Sequence, residues 1–132
     1  MTKQIITTLN APKPIGTYSQ ATVFGDLIFT SGQIGLDHRT MELEEGFSMQ
    51  ATKAIHNIKA IALEAHCKLS DIVKLTVFVT DMGDFPEFNK IMGELFEPPF
   101  PARSVIGVSQ LPLDALVEVE AVLLKSKSDD TV

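Results

Sequence analysis

The chain has 132 residues, of which 45% are hydrophobic and 21% are charged. These proportions are typical of one packed globular domain and argue against a disordered chain or two full domains. Seventeen acidic and 11 basic residues give a formal net charge of −6. No cluster of Lys and Arg interleaved with aromatic residues offsets this charge, so a nucleic acid is not expected as the main ligand.

Cysteine content and hydropathy predict the location. The single cysteine, Cys67, leaves no pair for an intrachain disulfide. No basic segment followed by an apolar one opens the chain, as a secretory signal would require. The longest strongly apolar stretches have the length of a strand, far below the ~20 residues of a membrane span. We therefore predict one cytoplasmic domain over residues 1–132, with 126–132 as a polar, mobile tail and no membrane partner.

The first part of the chain is predicted to form three strands, because β-branched and aromatic residues are concentrated there. The second and third strands are joined by Gly25-Asp26, a dipeptide typical of a tight hairpin turn. Residues 32–45 contain few packing residues and are predicted to be a long loop. The three predicted strands cover residues 3–8, 18–24 and 27–31.

Two helices are predicted after this loop. Apolar residues at spacings of three and four indicate the first, over residues 48–68. The second is predicted over residues 84–96, with Asp84 capping its first turn and Glu87 completing a capping box. The remaining predicted elements are strands over residues 72–80, 103–109 and 115–125.

The predicted order, β-β-β-α-β-α-β-β, indicates an α+β fold in which two helices cover one face of a mixed sheet. The opposite face is half apolar and no segment is left to cover it, so we expect self-association. The alternative is a solvated face that carries a few apolar residues. The rows predicted to lie in the core are Val73, Leu75, Val77 and Val79, and Val117, Val119, Ala121 and Leu123.

Motifs for metal or nucleotide chemistry are absent from the sequence. The histidines His38, His56 and His66 do not have the spacing of zinc ligands, and no Gly-rich phosphate loop is present. Cys67 has no evident base beside it and is predicted to be a half-buried packing residue. No metal or organic cofactor is therefore expected.

Two charged residues are candidates for chemistry. Arg103 follows Pro101 at the start of an apolar strand, which presents the guanidinium from a set position suited to a planar carboxylate. Glu118 shares a strand face with Glu120. If another subunit covers that face, burial would raise the pKa of a carboxyl group and suit it to act as a base toward water. From the residues alone, solvated or ion-paired side chains remain the alternative for both.

Several short runs, in order, resemble the RidA (YjgF) family over nearly all of residues 3–124. The resemblance implies a chorismate-mutase-like fold and a homotrimer whose sheets form an inner barrel, with three clefts between subunits. The runs are GTYSQ at 16–20, FTSGQI at 29–34, VKLTVFV at 73–79, DF at 84–85 with Asn89, PARS at 101–104, LP at 111–112 and LVEVE at 116–120.

The activity implied by this resemblance is hydrolysis of 2-imino acids to 2-oxo acids and ammonium, without a cofactor. The imines arise from enamines released by pyridoxal-phosphate-dependent dehydratases. By position, Arg103 matches the residue that binds the substrate carboxylate, and Glu118 matches the residue that activates water. The other cleft residues implied are Tyr18, Ser31, Gly32, Asn89 and Val105, of which Gly32 and Val105 contact substrate through the backbone.

Two other function classes stay open. The first is a regulatory protein that binds a small carboxylate in the same cleft without turnover, for which Glu118 would not be needed. The second is a ribonuclease or translation inhibitor, a label that some relatives carry. The net charge of −6 weighs against the second.

Overall fold

A computed structural model describes residues 2–125, in which seven strands form one mixed sheet and two helices pack on one of its faces. The predicted tail at 126–132 lies outside the described residues. No helix within residues 2–125 is long and apolar enough to cross a bilayer. The strands are β1 (Gln4–Ile6), β2 (Ala21–Phe24), β3 (Leu27–Thr30), β4 (Gln33–Ile34), β5 (Ile72–Val79), β6 (Ala102–Gly107) and β7 (Val117–Leu124), and the helices are α1 (Gly46–Glu64) and α2 (Phe85–Leu95).

The strand order is β1-β2-β3-β7-β5-β6, and β4 also pairs with β7. Only β5 and β6 run parallel, because α2 connects them as a crossover, whereas the other pairs are antiparallel. β7 is therefore an inner strand and β6 an edge strand. This places Glu118 on an inner strand and Arg103 at an edge of the sheet.

The core lies between the sheet and the two helices. The predicted row of β7 is fully inside it, and α2 contributes the buried ring of Phe88. α1 packs an apolar stripe against β7 and β4, as its periodicity predicts. The buried members of this stripe include Ala51, Ala54, Ile55, Ile58, Ile61 and Ala62.

The opposite face of the sheet is open and half apolar, as expected. Phe29 is 43% exposed and Leu124 is 48% exposed, although both lie within strands. Polar residues share this face, among them Lys74, whose ammonium donates to the Ser104 hydroxyl at 3.0 Å. Within residues 2–125, Phe78 on this face packs against a small second cluster of apolar residues, and burial of the rest of the face by further copies stays a prediction.

The predicted core row of β5 was wrong at Val73. A register irregularity between Ile72 and Lys74 shifts the alternation at the start of the strand. Ile72 consequently takes the core position and is 5% exposed, while Val73 is 44% exposed. From Leu75 onward the predicted alternation holds.

The predicted long loop at 32–45 was also wrong, since this segment contains β4 and a bridge between Leu36 and Leu43. Ile34 and Leu36 are buried in a small second core cluster. The Asn57 side-chain amide donates to the carbonyl oxygens of both residues, at 3.2 and 3.0 Å, which fixes the segment against α1. Short strands of this kind lack a periodic signal in the sequence.

The predicted cap of the second helix was wrong as well. Asp84 makes no side-chain capping bond. A 3₁₀ turn precedes α2, and there Asp81 accepts a hydrogen bond from the Gly83 amide at 2.8 Å. Glu87 instead accepts from the Ser48 hydroxyl at 2.7 Å, which links α2 to α1.

The first helix ends at Glu64, earlier than predicted. His66 beyond it has a φ of 61°, a conformation that a helix cannot continue. Cys67 therefore lies outside the helix, and it is 1% exposed rather than half buried.

Candidate functional site

Arg103 is held by one stripe of α2. Its Nη1 donates to Asn89 Oδ1 at 2.9 Å and to Met92 Sδ at 3.4 Å. Its guanidinium carbon lies 5.4 Å from the centroid of the Phe85 ring, within the range of a cation–π contact. These three helix residues are spaced by four and three, so they point to the same side.

The outer edge of this guanidinium has no polar partner within residues 2–125. Arg103 forms no ion pair with a carboxylate of residues 2–125, and its Nε and Nη2 atoms make no hydrogen bond within that range. These two nitrogens are the ones that grip a carboxylate with parallel hydrogen bonds. The side chain lines a cavity of about 510 Å³ together with Asn89, Met92, Gly93, Phe100 and Pro101.

Glu118 lies in a second cavity, of about 360 Å³. It is half buried, and its carboxyl group has neither a hydrogen bond nor an ion pair within residues 2–125. Burial raises the pKa of its carboxyl group, and the neighbouring charge of Glu120 raises it further. The cavity is lined by Pro12, Lys13, Ile15, Tyr18, Ser31, Gly32, Gln33, Ile34, Leu36, Pro112 and Glu118.

Tyr18 and Ser31 form part of the wall of this second cavity. The Tyr18 hydroxyl accepts from the Ile15 amide at 3.3 Å, and its ring is 48% exposed. The Ser31 hydroxyl donates to the Ser19 carbonyl at 2.6 Å, and its amide donates to Gln20 at 2.9 Å. These hydrogen bonds with nearby backbone groups fix both residues in the cavity wall.

Arg103 and Glu118 project from opposite faces of the sheet. Arg103 pairs with Leu75, a core residue of β5, so its side chain leaves toward α2. Glu118 pairs with Phe78, whose side chain lies on the open face, and shares that face. Their two cavities have no lining residue in common. A single copy of the chain cannot bring both side chains to one small ligand.

The seven predicted site residues thus fall into two groups. Asn89 lines the cavity of Arg103, whereas Val105 follows Arg103 on the same strand, packs its side chain against the core and does not line that cavity. Tyr18, Ser31 and Gly32 accompany Glu118.

The sequence prediction missed Phe85 and Met92, which hold the guanidinium from α2. Their spacing from Asn89 is the signal that could have identified them. Lys13 and Ile15 in the second cavity were also missed. They lie in a Pro-rich loop, where no periodicity predicts which side chains face inward.

Metal-ligating side chains are not clustered in the part of the chain that the structure describes. No group of three or more His, Cys, Asp or Glu residues within 2–125 could hold a metal ion. The chemical groups of the site are therefore a guanidinium, a carboxyl group, hydroxyl groups and backbone amides.

Comparison with known proteins places the chain among relatives of the same size. The profile of the family described as Endoribonuclease L-PSP matches residues 8–124. The 2-iminobutanoate/2-iminopropanoate deaminase of Dermatophagoides farinae is 45% identical over 123 residues, covering 92% of this chain and 96% of that protein.

Solved structures match equally well. RidA from the Antarctic bacterium Psychrobacter sp. has a TM-score of 0.90 at 44% identity, covering 92% of this chain and 98% of that one. Escherichia coli TdcF, solved with bound serine, has a TM-score of 0.90 at 38% identity, covering 93% and 99%.

The fold and the two cavities define a small α+β protein with two helices on one side of a seven-stranded sheet and a carboxyl group on its open side. The chain belongs to the RidA (YjgF) family, as the matches over residues 8–124 and over whole related chains show. The predicted family and the predicted fold of the single chain are confirmed, and the homotrimer stays a prediction.

Proposed function

We propose that this protein is a hydrolytic deaminase. Its substrates are 2-imino acids formed from the enamines that pyridoxal-phosphate-dependent dehydratases release, and its products are 2-oxo acids and ammonium. The observation that carries the proposal is the Arg103 guanidinium, which α2 fixes while its carboxylate-binding edge has no partner within residues 2–125. The name of the Dermatophagoides farinae relative and the serine bound to Escherichia coli TdcF support a small amino- or imino-acid ligand.

Arg103 binds the substrate carboxylate in this proposal. Asn89 and Met92 occupy Nη1, which leaves Nε and Nη2 for the two carboxylate oxygens. This contact fixes the position of the neighbouring imine carbon. Attack by water is then faster, because the imine is already held in the right geometry.

Glu118 serves as the base. The protonated imine carbon is already electrophilic, and Glu118 accepts a proton as the water oxygen bonds to that carbon. The proton then passes to nitrogen, the carbon–nitrogen bond breaks, and the hydroxyl proton leaves with ammonia as ammonium. A carboxyl group with a raised pKa suits both transfers, because it is a stronger base than an exposed glutamate.

The complete site requires two copies of the chain, since Arg103 and Glu118 project from opposite faces of one sheet. We infer a homotrimer in which the open faces meet and each cleft combines Arg103, Asn89 and Val105 of one copy with the Glu118 cavity of another. Burial of the apolar open face would drive this assembly.

The decisive experiment is imine hydrolysis by Arg103→Ala. An amino-acid oxidase generates 2-iminobutanoate from 2-aminobutanoate, and semicarbazide competes with the protein for the imine. The wild-type protein is expected to lower the rate of semicarbazone formation. Loss of two charge-assisted hydrogen bonds should reduce kcat/KM by about 100-fold or more.

Two variants serve as controls. Arg103→Lys keeps the charge but loses the planar fork, so its activity should fall between wild type and Arg103→Ala. Arg39→Ala removes an exposed arginine paired with Asp37 and should leave hydrolysis unchanged. Wild-type rates in Arg103→Ala would refute the assigned role, and a wild-type protein without effect on the imine would refute the function.

A second candidate function is RNA cleavage, because the matching family is described as Endoribonuclease L-PSP. The same preparations should be incubated with labelled RNA. RNA cleavage by wild type that survives in an imine-inactive Arg103 variant would favour this activity. Carboxylate binding without turnover would instead favour the regulatory protein.

A further inference from the structure

Gly32 lies in the link between β3 and β4, directly against the Glu118 side chain. A Cβ atom at Gly32 would lie 2.5 Å from Glu118 Oε2, 2.7 Å from Cδ and 3.0 Å from Cγ. These are the three nearest atoms, so the space that a side chain would need is filled by this one carboxylate. Real Cβ contacts are essentially never that short.

Backbone conformation does not explain the glycine. Gly25 and Gly46 have φ angles of 63° and 80°, in the left-handed region that favours glycine. Gly32 is outside that region, so an alanine could adopt its conformation. Within residues 2–125, the Glu118 side chain is therefore what a Cβ atom at Gly32 would meet first, and it would have to move.

We propose that Gly32 is a positioning residue for Glu118. Because Gly32 has no side chain, the Glu118 carboxylate can occupy the adjacent space inside the cavity. The proposal rests on the proposed function, in which Glu118 is the base. It differs from the role implied by the family resemblance, in which the Gly32 backbone contacts the substrate.

The position of the carboxylate also determines its proton affinity. The ionisable groups around Glu118 are Glu120 on its own strand and Lys13 and Tyr18 on the cavity wall. Burial is the main cause of its raised pKa, ahead of the charge of Glu120. A side chain at Gly32 would push the carboxylate toward solvent, which would lower its pKa and move it away from the water that it activates.

The test is a double-mutant cycle with Gly32→Ala in the wild-type and Glu118→Ala backgrounds. In the wild-type background kcat should fall by about 10- to 100-fold, because a displaced base loses much of its catalytic contribution. KM should change little, since Arg103 still binds the substrate carboxylate. In the Glu118→Ala background the same substitution should have no further effect, because the atoms that it would strike are gone.

A second measurement is independent of turnover. Carbon-13 labelling of glutamate side chains allows the Glu118 carboxyl to be titrated by NMR, with Glu118→Ala identifying its signal. Its pKa should be lower in Gly32→Ala than in wild type. This titration tests whether Gly32 determines the position of the carboxylate, even if the wild-type protein does not hydrolyse imines.

Three results would overturn the proposal: an unchanged Glu118 pKa in Gly32→Ala, an unchanged kcat, or equal losses of kcat in both backgrounds. Equal losses would point to contact between the Gly32 backbone and substrate. The flexible end of Glu118 is what must move, so Gly32→Ala should fold. A folding defect, if one arises, should be relieved by adding Glu118→Ala, and a defect that persists would also contradict the role.

Discussion

Glu118 is a carboxyl group in a place that disfavours its charge. It is half buried, has Glu120 beside it, and has no hydrogen bond or ion pair within residues 2–125. The pKa of the folded state is therefore raised above that of the unfolded chain. Such a group destabilises the folded protein when it is ionised. Residues that cost stability in this way are common at functional sites.

Glu118→Gln should consequently stabilise the protein near neutral pH. Below the unfolded-state pKa of about 4.3 the carboxyl is protonated in both states and no penalty exists. The penalty develops as pH rises from there and is complete above the raised folded pKa. Thermal unfolding should thus give Glu118→Gln a higher Tm than wild type at about pH 7, and equal Tm values below about pH 4.

Glu94→Gln is the matched control, because it removes an exposed glutamate on α2. A stability gain for Glu118→Gln that is equally large at both pH values would contradict the raised pKa as its cause.

At the residue scale, charge, position after a proline and family motifs made Arg103 and Glu118 the candidate site residues, and their roles stay a prediction. The sequence did not identify Phe85 and Met92, although they hold the guanidinium. Their spacing of four and three from Asn89 places them on the same side of the helix, but apolar residues on a helix are usually assigned to the core, so this signal was not used.

At the scale of elements, β5 shows how one irregularity changes which side chain is buried. The side-chain period of a strand is two, so a shift of one residue exchanges its faces. The irregularity between Ile72 and Lys74 makes that exchange at the start of the strand and leaves the rest unchanged. Val73 and Val77 are consequently the same residue type in opposite environments.

Val77→Ala and Val73→Ala therefore form a matched pair. Val77→Ala should lower the free energy of unfolding by about 2 kcal/mol, because it removes buried methyl groups and leaves a cavity. Val73→Ala should cost less than about 0.5 kcal/mol, as for other exposed sites. Urea denaturation measures both changes, and comparable losses would contradict the shifted register.

At the scale of the whole molecule, the sheet separates the two charged groups of the proposed site. Arg103 leaves the sheet on the side of α2, and Glu118 leaves it on the open side. The open side also carries exposed apolar residues, including Phe29 and Leu124. Association through this face would bury these residues. Each Glu118 cavity would receive the arginine of another copy if the edge strand β6 of that copy, which carries Arg103, lies beside the cavity.

Mixed assemblies test this arrangement. Arg103→Ala and Glu118→Ala should each retain only a small residual activity alone. When the two are co-expressed with different tags and purified through both, each mixed trimer contains one interface with both native residues. Hydrolysis should then recover to about one third of the wild-type rate.

No recovery in assemblies that contain both variants would mean that the two residues act within one copy. A protein that remains monomeric throughout would remove the basis of the shared site.

The sequence by itself determined the α+β class, the order of the long elements and the family, because these follow from local periodicity and from short runs of neighbouring residues. Only the tertiary structure decided that Gly32 accommodates the Glu118 carboxylate, that β4 exists, and that Arg103 lies on the other side of the sheet from Glu118. Each of these depends on the pairing register between segments far apart in the chain. That register is set by how the whole sheet packs, and no local pattern encodes it.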